Sequence, residues 1–297
     1  MDLKLEGIIS AILTPFTKNG VKVDYEKACA LAIRLADQGV HGIFVCGTTG
    51  EGFLMTVEER MRLLEELIGA VGKRINVIAQ TGHFDTGTSI KLTRHAQKAG
   101  AVAAAVIAPG FYTYDNTALK LHYKMIANAI KGFPIMLYNL PSCAKNLLTP
   151  ALIFELSTKY NNIMGIKDSS RDMALLSRVL GDAPDEYIII NGVDEYTYQA
   201  YLTGAHGSVS STANVFPELF LNIYTNVKKS NFEEAWETQK IINHVCELFN
   251  YGKMVAFYKE GLRLRGFDPG YVRPPQRELI PAERQRLAKR LEHMDLI

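Results

Sequence analysis

Eight short apolar runs rich in β-forming residues alternate along this chain with stretches of helical period. The runs are GIISAILT, GIFVCG, NVIAQTG, AAAVIAP, PIMLYN, IMGIKD, YIIING and GSVSS. Each ends in polar or glycine-bearing residues. Over residues 24–38, Ala28, Leu31, Ala32 and Leu35 recur at helical spacing and predict a helix. Over residues 56–71 a second follows, where Thr56 stands three residues before Glu59 and predicts a capping box. Strand, helix and strand at this regularity imply parallel strands joined by helical crossovers. Eight such units without a long linker fit a closed (β/α)8 TIM barrel better than an open sheet. A doubly wound sheet would carry a glycine-rich phosphate loop in its first turn, and TPFTKNG has no such fingerprint.

Beyond the eighth run the chain is purely helical in pattern: FPELFLNIYTNVKK, NFEEAWETQKIINHVCELFN, MVAFYKEGLRLRG and PAERQRLAKRLEHM. No Pro/Gly/Ser-rich linker precedes them. The expectation is an α/β chain with a barrel over residues 1–215 and a C-terminal helical extension over 216–297 packed on it. The 297 residues suit a barrel of about 250 residues plus an extension.

The composition removes several classes of partner. The formal net charge is +2, and no basic stripe of the kind a nucleic-acid binder needs is present. The cluster AERQRLAKRL alternates with acids and reads as a solvated helix face. The longest apolar run, AGAVAAAVIAPGF, falls short of the ~18 residues of a membrane span and is closed by Pro109. The N-terminal stretch MDLKLEGIISAILTPF lacks the charged, apolar and cleavage regions of a signal peptide. Cys29, Cys46, Cys143 and Cys246 have no metal-ligand spacing and are expected to be free thiols of a cytoplasmic protein.

In barrels of this kind the chemistry sits at the C-terminal ends of the strands. The sixth run ends on a lysine, in NNIMGIKDSS. Strand side chains alternate faces, so Ile163, Gly165 and Lys167 share one face and Met164, Ile166 and Asp168 the other. An amine in an apolar wall loses hydration, which disfavours its charged form. A neutral amine is a nucleophile able to form a Schiff base with a carbonyl. On this segment alone the competing reading is an ion pair of Lys167 with Asp168 or another acid.

The fifth run ends in PIMLYNLPS, where Tyr138 shares a face with Met136. A phenol beside such a lysine can shuttle protons, or simply cap the core. After the second run, CGTTGEGFLMTVEER offers Thr48 and Thr49 between Gly47 and Gly50, glycines expected to free the backbone for unusual dihedrals. That turn, near a helix N-terminus, suits a carboxylate or is an ordinary tight turn. NGVDE and GSVSSTAN bring more hydroxyls, carboxylates and glycines to the same rim, the groups that grip a polyhydroxylated substrate. For a metal, TGHFD supplies His83 and Asp85, and only His206 adds a second histidine, so no metal is expected. A phosphate site at GSVSS is weaker still, since no clear short helix follows it and Phe216-Pro217 interrupts the approach.

Taken together, G-T-T-G-E after the second run, Y-N-x-P after the fifth and I-K-D ending the sixth resemble the dihydrodipicolinate synthase / N-acetylneuraminate lyase superfamily. The resemblance covers essentially the whole chain, including VRPP at Val272 to Pro275. It implies a class I pyruvate-dependent aldolase or lyase. Lys167 would form the Schiff base with pyruvate or a 2-oxo acid, Tyr138 would be the proton shuttle, and Thr48 and Thr49 would hold the carboxylate. It implies no metal or organic cofactor and a homotetramer.

The second substrate is less constrained. The lysine-pathway synthases of the superfamily carry an arginine two residues after the proline of Y-N-x-P, and here Cys143 stands there. They also carry a tyrosine donated across a dimer interface, where this chain has Phe111, with Tyr112 next to it. NGVDE is similar to the N-G-x-D-E of sialic acid lyases, making Gly192, Asp194 and Glu195 the matching residues. Ser211 matches a serine of their G-S-T-x-N, and Ser169 stands where sugar-acid aldolases often have Thr. The resemblance therefore favours reversible cleavage of a 2-oxo-3-deoxy sugar acid. The alternatives are 4-hydroxy-tetrahydrodipicolinate synthase chemistry and a non-catalytic pyruvate-binding homologue.

Overall fold

In the computed structural model, which describes residues 5–297, all eight apolar runs become strands. They are β1 (Gly7–Ser10), β2 (Gly42–Val45), β3 (Asn76–Gln80), β4 (Ala103–Ile107), β5 (Ile135–Asn139), β6 (Ile163–Asp168), β7 (Ile188–Asn191) and β8 (Gly207–Ser210). The strands are parallel and pair in chain order, and β8 closes on β1 with Gly7 opposite Gly207. Residues 1–4, the start of the stretch expected to lack a signal peptide, lie outside the described residues.

The strands are almost wholly buried. Their outer faces are covered by helices and their inner faces fill the barrel, so they read as continuous apolar runs.

The helices are α1 (Tyr25–Asp37), α2 (Val57–Val71), α3 (Thr86–Ala99), α4 (Asn116–Ala129), α5 (Pro141–Ala144), α6 (Pro150–Lys159), α7 (Met173–Asp182) and α8 (Thr197–Leu202), then α9 (Pro217–Lys228), α10 (Phe232–Leu248), α11 (Val255–Leu264) and α12 (Pro281–His293). Several barrel helices start on a short polar side chain that takes a first-turn amide. Asp24, Asp85, Asp115, Thr149 and Asp172 all do so, each cap contributing about 1 kcal/mol. Thr56 and Glu59 form the expected capping box: the Glu59 amide donates to Thr56 at 3.1 Å and the Thr56 amide to Glu59 at 3.0 Å. Ala28, Leu31, Ala32 and Leu35 are the buried face of α1.

The last four helices pack onto the barrel. Phe220 and Ile223 of α9 and Ala235, Ile242 and Cys246 of α10 share a buried cluster with Ile8 of β1 and Tyr201 of α8. Residues Val255 to Leu262 of α11 are all buried, Lys259 among them. All four cysteines are free. Among the described residues no helix is long and apolar enough to cross a membrane.

Candidate active site

A cavity of about 550 Å³ opens at the C-terminal ends of the strands. Lys167, the penultimate residue of β6, points into it and is 5% exposed. The β5–β6 register sets Tyr138 directly beside Lys167. The lysine Nζ lies 3.8 Å from the centre of the Tyr138 ring and 5.2 Å from that of Phe44. Phe44 and Tyr138 meet edge to face. Lys167 donates to Ser169 Oγ at 2.9 Å, and Ser169 donates to the Gly192 carbonyl at 3.2 Å.

Gly192 is required by space. A Cβ there would lie 2.0 Å from Ser169 Oγ and 3.0 Å from Lys167 Nζ. The ion-pair reading of Lys167 fails on the alternation of faces. Asp168 lies on the other face and accepts from Asn139 at 2.8 Å and from Ser170 at 2.9 Å. Burial raises its carboxyl above the usual range despite these bonds.

Thr48 and Thr49 enter from the loop after β2. Thr48 Oγ1 is 3.5 Å from the Tyr138 hydroxyl, and Thr49 Oγ1 is 2.5 Å from Ser211 Oγ. Two expectations for this loop need correction. Gly47 and Gly50 do not take left-handed dihedrals; Cys46 (φ 59°) and Glu51 (φ 54°) do. The glycines answer a shortage of space: a Cβ at Gly47 would sit 2.8 Å from the Phe44 ring, and one at Gly50 2.9 Å from the Ile12 carbonyl. Nor do the threonines stand at the N-terminus of α2. A 3-10 turn, Gly52–Leu54, intervenes, and the α2 terminus is capped by Thr56.

The left-handed Glu51 anchors the loop from below. Its carboxylate meets Lys259 of α11 at 2.9 Å, with both side chains almost fully buried. Its second oxygen accepts the Arg273 amide at 2.9 Å. Lys259 also donates to the Thr14 carbonyl at 2.7 Å, and Thr14 Oγ1 donates to the Gly50 carbonyl at 2.7 Å. Burial pushes the Glu51 carboxyl up and the Lys259 amine down, and their mutual attraction opposes both shifts. The sequence reads this stretch only as helical in pattern, so this link was not legible there. Its one trace is a lysine on an otherwise apolar face.

Asp194 and Glu195 open a 3-10 turn after β7 and line the cavity, with Ser211 and Cys143. Asp194 accepts the Thr212 amide at 3.2 Å, and burial pushes its carboxyl up to about 6. The turn after β8 is itself a 3-10 helix, Thr212–Asn214, which corrects the reading that no short helix follows GSVSS. Its Thr212 amide is already occupied by a carboxylate. Glu195 pairs with Arg171 at 2.6 Å.

Phe111 and Tyr112 do not join this group. They lie outside the cavity lining, 78% and 63% exposed, with their rings 4.9 Å apart. The lining also contains residues that the sequence did not single out: Arg171, Tyr251, Lys253 and Tyr258. Tyr251 and Lys253 come from the connection between α10 and α11, far from any strand end. His83 pairs with Asp85, and His206 accepts the Ile189 amide. Among the described residues no group of three or more His, Cys, Asp or Glu is arranged to hold a metal ion.

Comparison with known proteins agrees with this architecture. Residues 4–294 match the model of the dihydrodipicolinate synthetase family. The chain is 31% identical to a 4-hydroxy-tetrahydrodipicolinate synthase from Methanopyrus kandleri, over 100% of this chain and 99% of that one. It is also 31% identical to an N-acetylneuraminate lyase from Rhizobium meliloti, over 95% and 92%. Among solved structures, a prophage protein of the dihydrodipicolinic acid synthase family from E. coli K12, in complex with pyruvate, superposes with a TM-score of 0.94 at 28% identity, covering 99% of this chain and all of that one. The chain therefore belongs to the dihydrodipicolinate synthetase family of class I pyruvate aldolases, lyases that work through a lysine Schiff base without metal or organic cofactor.

Proposed function

We propose that this protein reversibly cleaves a 2-oxo-3-deoxy sugar acid to pyruvate and an aldehyde, with Lys167 as the nucleophile. The observation that carries the reading is a buried amine with no carboxylate partner among the described residues, facing a phenol and two threonines in one cavity. Its Nζ attacks the C2 carbonyl of the substrate, and loss of water leaves an iminium ion. The C4 hydroxyl gives up its proton, the C3–C4 bond breaks, and its electron pair flows into the iminium as an enamine. Protonation at C3 and hydrolysis release pyruvate.

Tyr138 is the proposed carrier of the C4 proton, since its hydroxyl faces the cavity beside Lys167. Thr48 and Thr49 are the proposed holders of the C1 carboxylate. Ser169, within hydrogen-bond distance of the amine, is assigned to orienting it.

For the aldehyde half, Cys143 is an exposed thiol on the cavity wall. It offers no charge to a carboxylate, which argues against semialdehyde condensation of the lysine-pathway type. Asp194, Glu195 and Ser211 line the remaining space as polar groups for hydroxyls, and Gly192 leaves room beside Lys167. Phe111 and Tyr112, outside the cavity, are assigned to contacts in a homotetramer.

Borohydride reduction in the presence of pyruvate should add a stable label at Lys167. Labelling that persists in Lys167→Ala would refute the assignment of the nucleophile. A panel of 2-oxo-3-deoxy sugar acids against aspartate semialdehyde then tests the substrate. Efficient condensation with the semialdehyde would favour the synthase reading. Labelling without turnover on any of them would favour a pyruvate-binding protein without catalysis.

A further inference from the structure

The segment VRPP, Val272 to Pro275, takes no part in the cavity lining. Its arginine is nevertheless bonded at every donor it has. A guanidinium carries five N–H groups in a rigid fork, and in Arg273 all five are taken. Nε donates to the Gly20 carbonyl at 2.8 Å. One terminal nitrogen donates to the Leu54 carbonyl at 3.0 Å and to Glu59 at 2.6 Å. The other donates to the Val21 carbonyl at 3.2 Å and to the second Glu59 oxygen at 2.8 Å. The Arg273 amide donates to Glu51 at 2.9 Å, and the guanidinium lies 4.3 Å above the Phe16 ring. Gly20 makes the approach possible: a Cβ there would lie 2.7 Å from Arg273 Cα.

These partners bracket one loop. Glu51, Leu54 and Glu59 lie on the stretch that runs from Thr48 and Thr49 into α2, and Gly20 and Val21 belong to the connection between β1 and α1. Cys46 and Glu51, on either side of the two threonines, are both left-handed, at φ 59° and 54°. Such a backbone persists in residues with a side chain only where the surroundings over-determine it. Glu59 is fixed independently, as the capping-box residue of α2. A bidentate arginine–carboxylate pair sets orientation as well as distance, and Arg273 holds the Glu59 carboxyl below the usual carboxylate range.

We propose that Arg273 is a positioning residue for the 2-oxo acid. Acting through Glu51, Leu54 and Glu59, it sets the place of Thr48 and Thr49 relative to Lys167, so a strap from the C-terminal extension governs affinity for the substrate carboxylate. The inference rests on the reading that Thr48 and Thr49 hold that carboxylate.

Borohydride trapping of pyruvate on the whole protein gives two quantities: the concentration for half-maximal labelling, and the labelling reached at saturation. In Arg273→Gln the first should rise about tenfold through misplacement of the loop, with the second retained. Arg273→Lys keeps the charge but not the fork, and should rise nearly as much. Thr49→Val should raise the half-maximal concentration by itself. Adding Arg273→Gln to it should then change that concentration by less than about twofold, because both act on one contact. Glu59→Gln preserves the capping box and weakens the fork, for a rise of about threefold. It decides the matter if Arg273→Gln does not fold.

An unchanged half-maximal concentration in Glu59→Gln and in any folded Arg273→Gln would overturn the proposal. So would full rescue by Arg273→Lys, or independent effects in the double variant. A fall in saturated labelling at unchanged half-maximal concentration would reduce Arg273 to a support of the fold. If Thr48→Val and Thr49→Val both leave pyruvate affinity unchanged, the carboxylate reading fails and the strap loses its object. If the threonine variants weaken binding and the Arg273 and Glu59 variants do not, the strap alone fails.

Discussion

The floor and the far wall of the cavity are built by different physics. The floor comes from strand ends. Tyr138 and Lys167 are neighbours because β5 and β6 are in register, and Lys167 is closed in by Phe44, Ser169 and a glycine that leaves no room for a side chain. The far wall comes from connections. Arg171, Tyr251 and Lys253 are exposed and reach in from loops after β6 and α10; Arg171 pairs with Glu195 and lies against the Tyr251 ring. A floor of that kind fixes a reaction, because its geometry cannot drift. A wall of that kind fixes a substrate and can change without disturbing the barrel.

The largest effects should come from breaking the floor. Lys167→Ala removes the proposed nucleophile, and turnover should fall by at least about 10³-fold while the thermal midpoint moves little. A residual rate within tenfold of the parent in a steady-state assay would move the nucleophile elsewhere. Tyr138→Phe keeps the ring against Lys167 and removes only the hydroxyl. Its turnover should fall about 10²–10⁴-fold, with pyruvate labelling retained. A matching loss of labelling would mean that the phenol acts in Schiff-base formation rather than in moving the C4 proton.

The next test reaches the floor from outside the cavity. Lys259→Met strips the partner from Glu51, whose side chain is almost wholly buried. An uncompensated buried charge costs about 3–5 kcal/mol, read in a denaturant titration. Because Glu51 follows Thr48 and Thr49 in one loop, KM for the 2-oxo acid should rise more than kcat falls. Double replacement, Glu51→Gln with Lys259→Met, should recover much of the stability, since it leaves no buried charge behind. An undiminished stability in the single variant would show that the pair does not brace the loop.

The same contrast explains what could be read in the chain before any coordinates. Strand ends follow from period and face: alternation separated Lys167 from Asp168 and grouped Tyr138 with Met136, and the barrel rule put these strand ends on the functional rim. All eight strands were legible because a sheet covered on both faces leaves continuous apolar runs. The glycines of the GTTGE loop were visible but misread, since the need there is close approach to Phe44 and Ile12 rather than left-handed dihedrals. Arg171 and Lys253 were not legible. Their place at the cavity depends on how two loops fold back, and no period or spacing encodes that. Glu195 stood in a motif, yet its partner Arg171 is 24 residues away on another strand's loop, so the pairing left no mark in the sequence.

Asp194 stands at the boundary between the two regions and gives the gentlest test. Burial holds its carboxyl at about 6, against 3.8 for an ordinary aspartate. Between those values the unfolded chain loses its proton and the native state keeps it. The native state then binds more protons, so stability must fall as pH rises through this window. The effect is absent below about pH 4 and complete above about pH 6. At 1.36 kcal/mol per unit it amounts to roughly 3 kcal/mol. Asp194→Asn keeps the size of the side chain and abolishes the titration. Unfolding free energies of parent and variant, measured every half unit from pH 4 to 7, should diverge progressively, with the parent losing stability relative to the variant as pH rises. The slope of the difference is the readout, so a constant offset from the lost Thr212 contact does not matter. A flat difference would mean that Asp194 ionises like a surface carboxylate. It would then belong with the solvated far wall, and the rigid part of the site would end at Lys167.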